Sequence, residues 1–293
     1  MRIARYWYQG EETYGVLQEE RLLSLPFLAK LLGTNLPTNM EAFIEDSTAQ
    51  RKAEELLKKT RNSELDAVST LTSETRILAP VPSPPKIVCL GLNYASHVIE
   101  TNSKRPAQPE IFMKPRTAIV GPDDKIIKPS FVKQLDYEGE LAIVMGKKAK
   151  EVDVSDAFNF VFGYTILNDV SARDLQFKGS QWTPGKSFDT FAPMGPCVTM
   201  SNQIADIDDI TLKTWVNGEL RQTGCTRDMI FSIPQIIYHV SRLMTLEPCD
   251  IISTGTPSGV ALAMKPPRWL KEGDEVRIEI EGIGTLTNTI AER

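Results

Sequence analysis

The chain has 293 residues, with 33 Lys or Arg against 38 Asp or Glu and a net charge of -5. Neither sign gathers into long runs, which excludes the footprint of a nucleic-acid or membrane-surface binder and points to small-molecule partners. No apolar run approaches the roughly 20 residues that span a bilayer, the segment Met1 to Tyr8 lacks the apolar centre of a secretion signal, and the four cysteines form no C-x-x-C pair. A cytoplasmic chain with reduced thiols is therefore expected.

Residues 2 to 25 alternate apolar and polar character, with breaks at Gln9-Gly10 and Glu19-Glu20, and predict a small antiparallel meander. Asn39 is a candidate N-cap for helical sequence running to Lys59, in which Phe43, Ile44, Leu56 and Leu57 are spaced for a partly buried face. Prolines 80, 82, 84 and 85 then interrupt the chain, since proline continues neither a helix nor a central strand. The organisation expected is an amino-terminal domain over 1–76, a Pro-rich linker over 77–86 and a main domain over 87–293.

The main domain opens with the strand Ile87 to Leu90. Asn93 is placed to cap a short helix that brings His97 and Glu100 onto one face at i, i+3. A carboxylate beside an imidazole raises its basicity and fixes its tautomer, the arrangement that activates a water or removes a substrate proton. The competing reading is a surface pair worth about 0.2–0.5 kcal/mol. The other histidine, His239, falls opposite an apolar stripe of Ile233, Ile236, Ile237, Val240, Leu243 and Met244 and reads as a solvated-face residue. Lys114, in Met-Lys-Pro, is either a contact for an anionic substrate or a solvated surface lysine.

Two carboxylate clusters follow. Glu138 and Glu140 are two residues apart ahead of Leu-Ala-Ile-Val-Met, so on a strand they project to the same side. Asp169 closes a second apolar run from Val161 to Leu167. Three carboxylates converging in an apolar setting resist ionisation unless a cation neutralises them. An all-oxygen set without nearby His or Cys suits Mg²⁺ or Mn²⁺ rather than zinc or copper. The alternative is that Glu138 and Glu140 form the solvated face of an edge strand.

Lys186, in Pro184-Gly185-Lys186, is either held by a stiff loop to meet an oxyanion or solvated like most loop lysines. Asn217-Gly218 predicts a type I′ hairpin between Thr211–Val216 and Glu219–Gln222. Thr254 to Gly259 is a Gly- and hydroxyl-rich turn whose N–H and O–H groups can converge on a carboxylate, or simply a tight corner. A terminal hairpin follows from Lys271, without the glycine spacing of a dinucleotide fold.

Taken in order, Gly91-Leu-Asn93-Tyr94-x-x-His97-x-x-Glu100, Asp136-Tyr-Glu138-Gly-Glu140, Gly163-Tyr-Thr-Ile-Leu-Asn168-Asp169-Val-Ser-Ala-Arg173-Asp174-Leu-Gln176, Gly185-Lys186-Ser187-Phe-Asp189 and Thr254-Gly-Thr256-Pro-Ser-Gly259 resemble the fumarylacetoacetate hydrolase family. The likeness runs from Lys86 to Ile290. It implies an α+β fold, with a mixed β-roll or β-sandwich catalytic domain and a small α+β accessory domain before it, usually assembled as a homodimer. It implies Mg²⁺ or Mn²⁺ on Glu138, Glu140 and Asp169, a catalytic set of His97, Glu100 and Lys186, and substrate contacts from Arg173, Gln176, Thr256 and Tyr94. The activity expected is metal-dependent cleavage of a C–C bond in a small anionic 2-oxo or 1,3-dicarbonyl acid, acylpyruvate or fumarylpyruvate-like. Oxaloacetate decarboxylation and keto–enol tautomerisation on the same scaffold are the alternatives, and a non-catalytic metal or carboxylate binder is the alternative of another class.

Overall fold

The computed structural model describes all 293 residues. Its frame is a twelve-stranded mixed sheet. The strands Gly139–Met145 and Val161–Asn168 pair antiparallel near its middle, and every residue of both is buried. Their near-continuous apolar sequence has a simple cause, because both faces of the sheet are covered. Leu141, Ile143 and Met145 point into one core and Ala142 and Val144 into the other.

The first core lies under a five-stranded sheet, ordered Glu219–Cys225, Thr211–Val216, Glu275–Ile280, Gly284–Glu292, Lys125–Lys128, and under the helix Ile233–Leu243. Asn217 and Gly218 take φ of 51° and 78°, the left-handed pair a type I′ turn needs. The helix buries Ile233, Ile236, Ile237, Val240 and Ser241, whereas Leu243, expected in its stripe, is 57% exposed. His239 is half-buried rather than fully solvated.

The second core is made by the amino-terminal segment. Arg2–Tyr8, Glu11–Gln18 and Arg21–Ser24 form the expected meander, and Arg2 and Ile3 pair with Thr199 and Val198 of the strand Ala192–Met200, so the meander extends the same sheet. Asn39 caps Met40–Glu45 by accepting from the Ala42 N–H at 2.9 Å. Asp46 restarts a separate helix over Ser47–Lys59, capping it through Thr48 and Ala49. Phe43 meets Phe162 edge-on at 6.4 Å between ring centres. In the Pro-rich segment, Ile77–Leu78 pairs with Arg2–Tyr8, and Leu78, Ala79 and Val81 are buried. No helix is long and apolar enough to cross a membrane.

Candidate active site

The carboxylates come together because two central strands deliver them at one end. Gly139 pairs with Asn168 and Glu140 with Leu167, so Glu138 and Asp169 sit at the matching ends of the two strands. The Asp169 N–H donates to the Glu138 carbonyl at 2.9 Å, and the Glu138 N–H donates to Asn168 Oδ1 at 3.1 Å. One carboxylate oxygen from each of Glu138, Glu140 and Asp169 falls within 4.8 Å of the others, with all three residues buried. The edge-strand alternative fails for that reason.

Three cations share this cluster. Lys186 Nζ donates to Glu138 Oε2 at 2.8 Å and to Asp169 Oδ2 at 2.7 Å. Arg173 donates from Nε to Asp136 Oδ2 at 2.9 Å, from one terminal nitrogen to Glu138 Oε1 at 2.6 Å and from the other to Gln176 Oε1 at 2.9 Å. Lys114 is neither solvated nor on the cavity wall. Its ammonium is fully buried, donating to Asp169 Oδ1 at 2.5 Å and to the Val170 carbonyl at 3.1 Å. Pro184-Gly185-Lys186 is a helical turn rather than a loop, Thr183–Lys186. A Cβ on Gly185 would stand 2.6 Å from the Ala172 carbonyl oxygen and the Gln176 backbone, so glycine lets this turn press close enough for Lys186 to reach the cluster.

Glu140 is treated differently from its neighbours. Both of its hydrogen bonds fall on Oε2, from Ser253 Oγ at 2.5 Å and the Gly255 N–H at 2.9 Å, and neither donor is charged. The hydroxyl-rich turn thus converges on a carboxylate of the protein itself. Burial, followed by the Asp169 and Glu138 charges, pushes the Glu140 carboxyl well above the usual carboxylate range. Burial acts the same way on Glu138, but Lys186 and Arg173 outweigh it and hold that group well below the range. Burial opposes the charge of Lys186 too, and there Asp169 and Glu138 more than restore it. For Lys114 burial wins and the ammonium is pulled down, with Asp169 offsetting only part.

Four buried carboxylates, counting Asp136, therefore face three buried cations, and Glu140 is the one without a cationic partner. Three convergent oxygen donors with that shortfall fit one hard divalent cation. Mg²⁺ or Mn²⁺ would be held by Glu138, Glu140 and Asp169.

His97 and Glu100 lie on the helix Ala95–Glu100 and are joined by His97 Nδ1 to Glu100 Oε1 at 2.8 Å. The second Glu100 oxygen accepts the Gly259 N–H at 2.8 Å, so the pair is fixed to the Thr254–Gly259 turn. Asn93 does not cap this helix; Tyr94 occupies the N-cap position without a side-chain bond. Asn93 instead is buried, giving its amide protons to the carbonyls of Thr254 and Phe231 at 2.7 and 3.2 Å and accepting the Phe231 N–H at 2.9 Å. A side chain able to make three bonds was worth more as a tie between segments than as a cap.

A cavity of about 200 Å³ joins these groups. His97, Glu138, Glu140, Arg173, Gln176, Lys186 and Thr256 all line it. Tyr94 does not; it is fully buried, its hydroxyl has no hydrogen-bond partner, and it packs near Gly224 away from the cavity wall. Thr256 has a committed hydroxyl, donating to the Gly139 carbonyl at 2.9 Å and accepting from Gln222 at 2.7 Å. Sequence reasoning missed Lys114 as a partner of Asp169, and Ser253 and Gly255 as the donors to Glu140. The Met-Lys-Pro context of Lys114 gives no sign of burial, because that follows from the pairing of its strand, Glu110–Lys114, with Ile87–Gly91, which lies more than 20 residues before Lys114.

Comparison with known proteins places residues 86–291 in the family described as fumarylacetoacetate (FAA) hydrolase, C-terminal. Oxaloacetate tautomerase YisK of Bacillus subtilis is 47% identical over 234 residues, 78% of this chain and 77% of that protein. Among solved structures, the fumarylacetoacetate hydrolase of the psychrophile Exiguobacterium antarcticum is 36% identical with a TM-score of 0.84, covering 100% of both chains. The maleylpyruvate hydrolase of Sphingobium sp. SYK-6, in complex with manganese(II) ion and pyruvate, is 30% identical with a TM-score of 0.79, over 100% of this chain and 99% of that one.

Proposed function

Because the chain belongs to the fumarylacetoacetate hydrolase family, we propose that it is a divalent-metal-dependent enzyme interconverting the keto and enol forms of oxaloacetate or a 2-oxo diacid of that size. The observation that carries this reading is His97 standing on the same cavity wall as Glu138 and Glu140, with Nδ1 committed to Glu100. The oxaloacetate tautomerase relative supports the reaction, and the manganese and pyruvate in a solved neighbour support the metal and the 2-oxo acid class. The small cavity fits as well, at about 200 Å³ against the roughly 300–1,000 Å³ of pockets for larger ligands.

Bound at the three carboxylates, the metal would supply Lewis-acid polarisation of the 2-oxo carboxylate unit. With Glu100 accepting the Nδ1 proton, His97 presents Nε2 as the base: it takes a proton from C3 and delivers that proton to the C2 oxygen to give the enol, and the reverse direction runs the same transfer backwards. Lys186, whose ammonium is favoured by Asp169 and Glu138 against burial, meets the negative charge that develops on the C2 oxygen. Arg173 uses three of its five N–H donors on Asp136, Glu138 and Gln176, and by holding Gln176 Oε1 it leaves the Gln176 amide N–H groups for a substrate carboxylate.

The same dyad can activate water, and the likeness to maleylpyruvate hydrolase favours acylpyruvate-type C–C hydrolysis as the second reading. Enol absorbance, CO₂ and acetate followed with oxaloacetate and acetylpyruvate, with Mn²⁺ and with chelator, separate the two. Metal-dependent enol decay without CO₂ or acetate is expected. Acetate release from acetylpyruvate would move the assignment to hydrolase, CO₂ release to decarboxylase, and inactivity on both would favour a non-catalytic binder.

A further inference from the structure

We propose that Trp182 sets the upper size limit of the acid this cavity accepts, and that Gly91 is glycine in order to seat its indole. The inference rests on the 2-oxo acid reading above and names the residue that confines it to short chains. Trp182 lies on the cavity wall and packs edge-on against Phe112, with ring centres 5.5 Å apart. On its other side is Gly91, where a Cβ would stand 2.2 Å from Cζ3 and 2.5 Å from Cη2 of the indole. The Gly91 backbone is outside the left-handed region, and the residue ends a regular strand, Ile87–Gly91, where glycine is conformationally costly. Its demand is for space, and the indole is what fills that space.

The ring is also tied to the chemistry. Trp182 directly precedes the turn Thr183–Lys186, and Lys186 Nζ lies 5.0 Å over the Phe112 ring that Trp182 abuts. Removing the indole therefore enlarges the cavity beside Lys186. Phe177 shares the wall but is 56% exposed.

The test uses oxalate as the short probe and phenylpyruvate as the bulky one. Their affinities in the presence of Mn²⁺ are measured by calorimetry for wild type, Trp182→Ala, Trp182→Phe and Gly91→Ala, together with enol decay of oxaloacetate and phenylpyruvate. An apolar wall discriminates by about 10–200-fold, so Trp182→Ala is expected to raise the phenylpyruvate-to-oxalate affinity ratio at least about tenfold, with Trp182→Phe between. Gly91→Ala is expected to weaken oxalate binding in the wild-type background and to be near neutral with Trp182→Ala, the non-additivity expected of residues that share one space. An unchanged ratio in a Trp182→Ala protein that still binds oxalate overturns the proposal, as does a Gly91→Ala effect of equal size in both backgrounds. If wild type fails to consume enol-oxaloacetate while the affinity ratio still shifts, the tautomerase reading falls and the size limit stands.

Discussion

Removing the Lys114 ammonium would leave the fully buried Asp169 carboxylate with only Lys186, which it shares with Glu138. Breaking a buried pair in this way costs about 3–5 kcal/mol. Lys114→Met is expected to lower metal-free stability in urea by about that amount, and Mn²⁺ is expected to restore more stability to the variant than it adds to wild type. Equal stabilisation of both proteins would mean that Lys114 does not balance the cluster. The thiols give a second check. Burial pushes the Cys89, Cys197 and Cys249 thiols up, that of Cys249 to about 12, whereas Cys225 is partly exposed. A thiolate-selective reagent at neutral pH is expected to modify Cys225 alone until the protein is unfolded; rapid labelling of a second cysteine in the folded protein would contradict this. At this scale the carboxylates were legible because a two-residue spacing fixes a shared strand face. Lys114 and Tyr94 were not, because which end of an amphipathic side chain is buried depends on strands far away in sequence.

At the scale of elements, two asparagines invite comparison. Asn39 caps a short helix at an exposed bond, and its replacement by Ala should cost about 0.5–2 kcal/mol. Asn93→Ala would leave the buried Thr254 carbonyl without its partner, at about 1–3 kcal/mol, and would also free both part-buried backbone groups of Phe231. Asn93→Ala should therefore destabilise more in urea, and it should also slow turnover, because Asn93 ties the chain leading into the dyad helix to the Thr254–Gly259 turn that carries Glu100's second partner. The reverse order of stabilities would show that Asn93 is dispensable to the element. The Asn217-Gly218 hairpin was readable because its signal is local. The helix carrying His97 was readable only in part: it was expected from an Asn93 cap that is not made, and Asn93 instead ties the segment to Phe231 and Thr254, more than 130 residues away.

Across the whole molecule, the amino-terminal meander is continuous with the sheet that carries the site, and Ile3, Tyr14, Val16 and Phe43 share a core with Ala142, Val144, Phe162 and Met200. A chain beginning at Lys86 would expose that face, and is expected to bind hydrophobic dye and self-associate rather than melt cooperatively; a monodisperse, cooperatively melting fragment would contradict it. The proline cluster marked a change of topology in the sequence, but composition carries no information on whether the segments it joins pack together. What unites the molecule functionally is His97 beside the three carboxylates, and the most direct measurement is on His97→Ala, comparing Mn²⁺ affinity and enol-oxaloacetate decay with wild type. Mn²⁺ affinity is expected to be retained, since His97 is not among the three oxygen donors, while decay slows by about 10²–10⁴-fold, the contribution of a positioned acid–base group. Decay at the wild-type rate with Mn²⁺ bound would contradict the role given to the dyad.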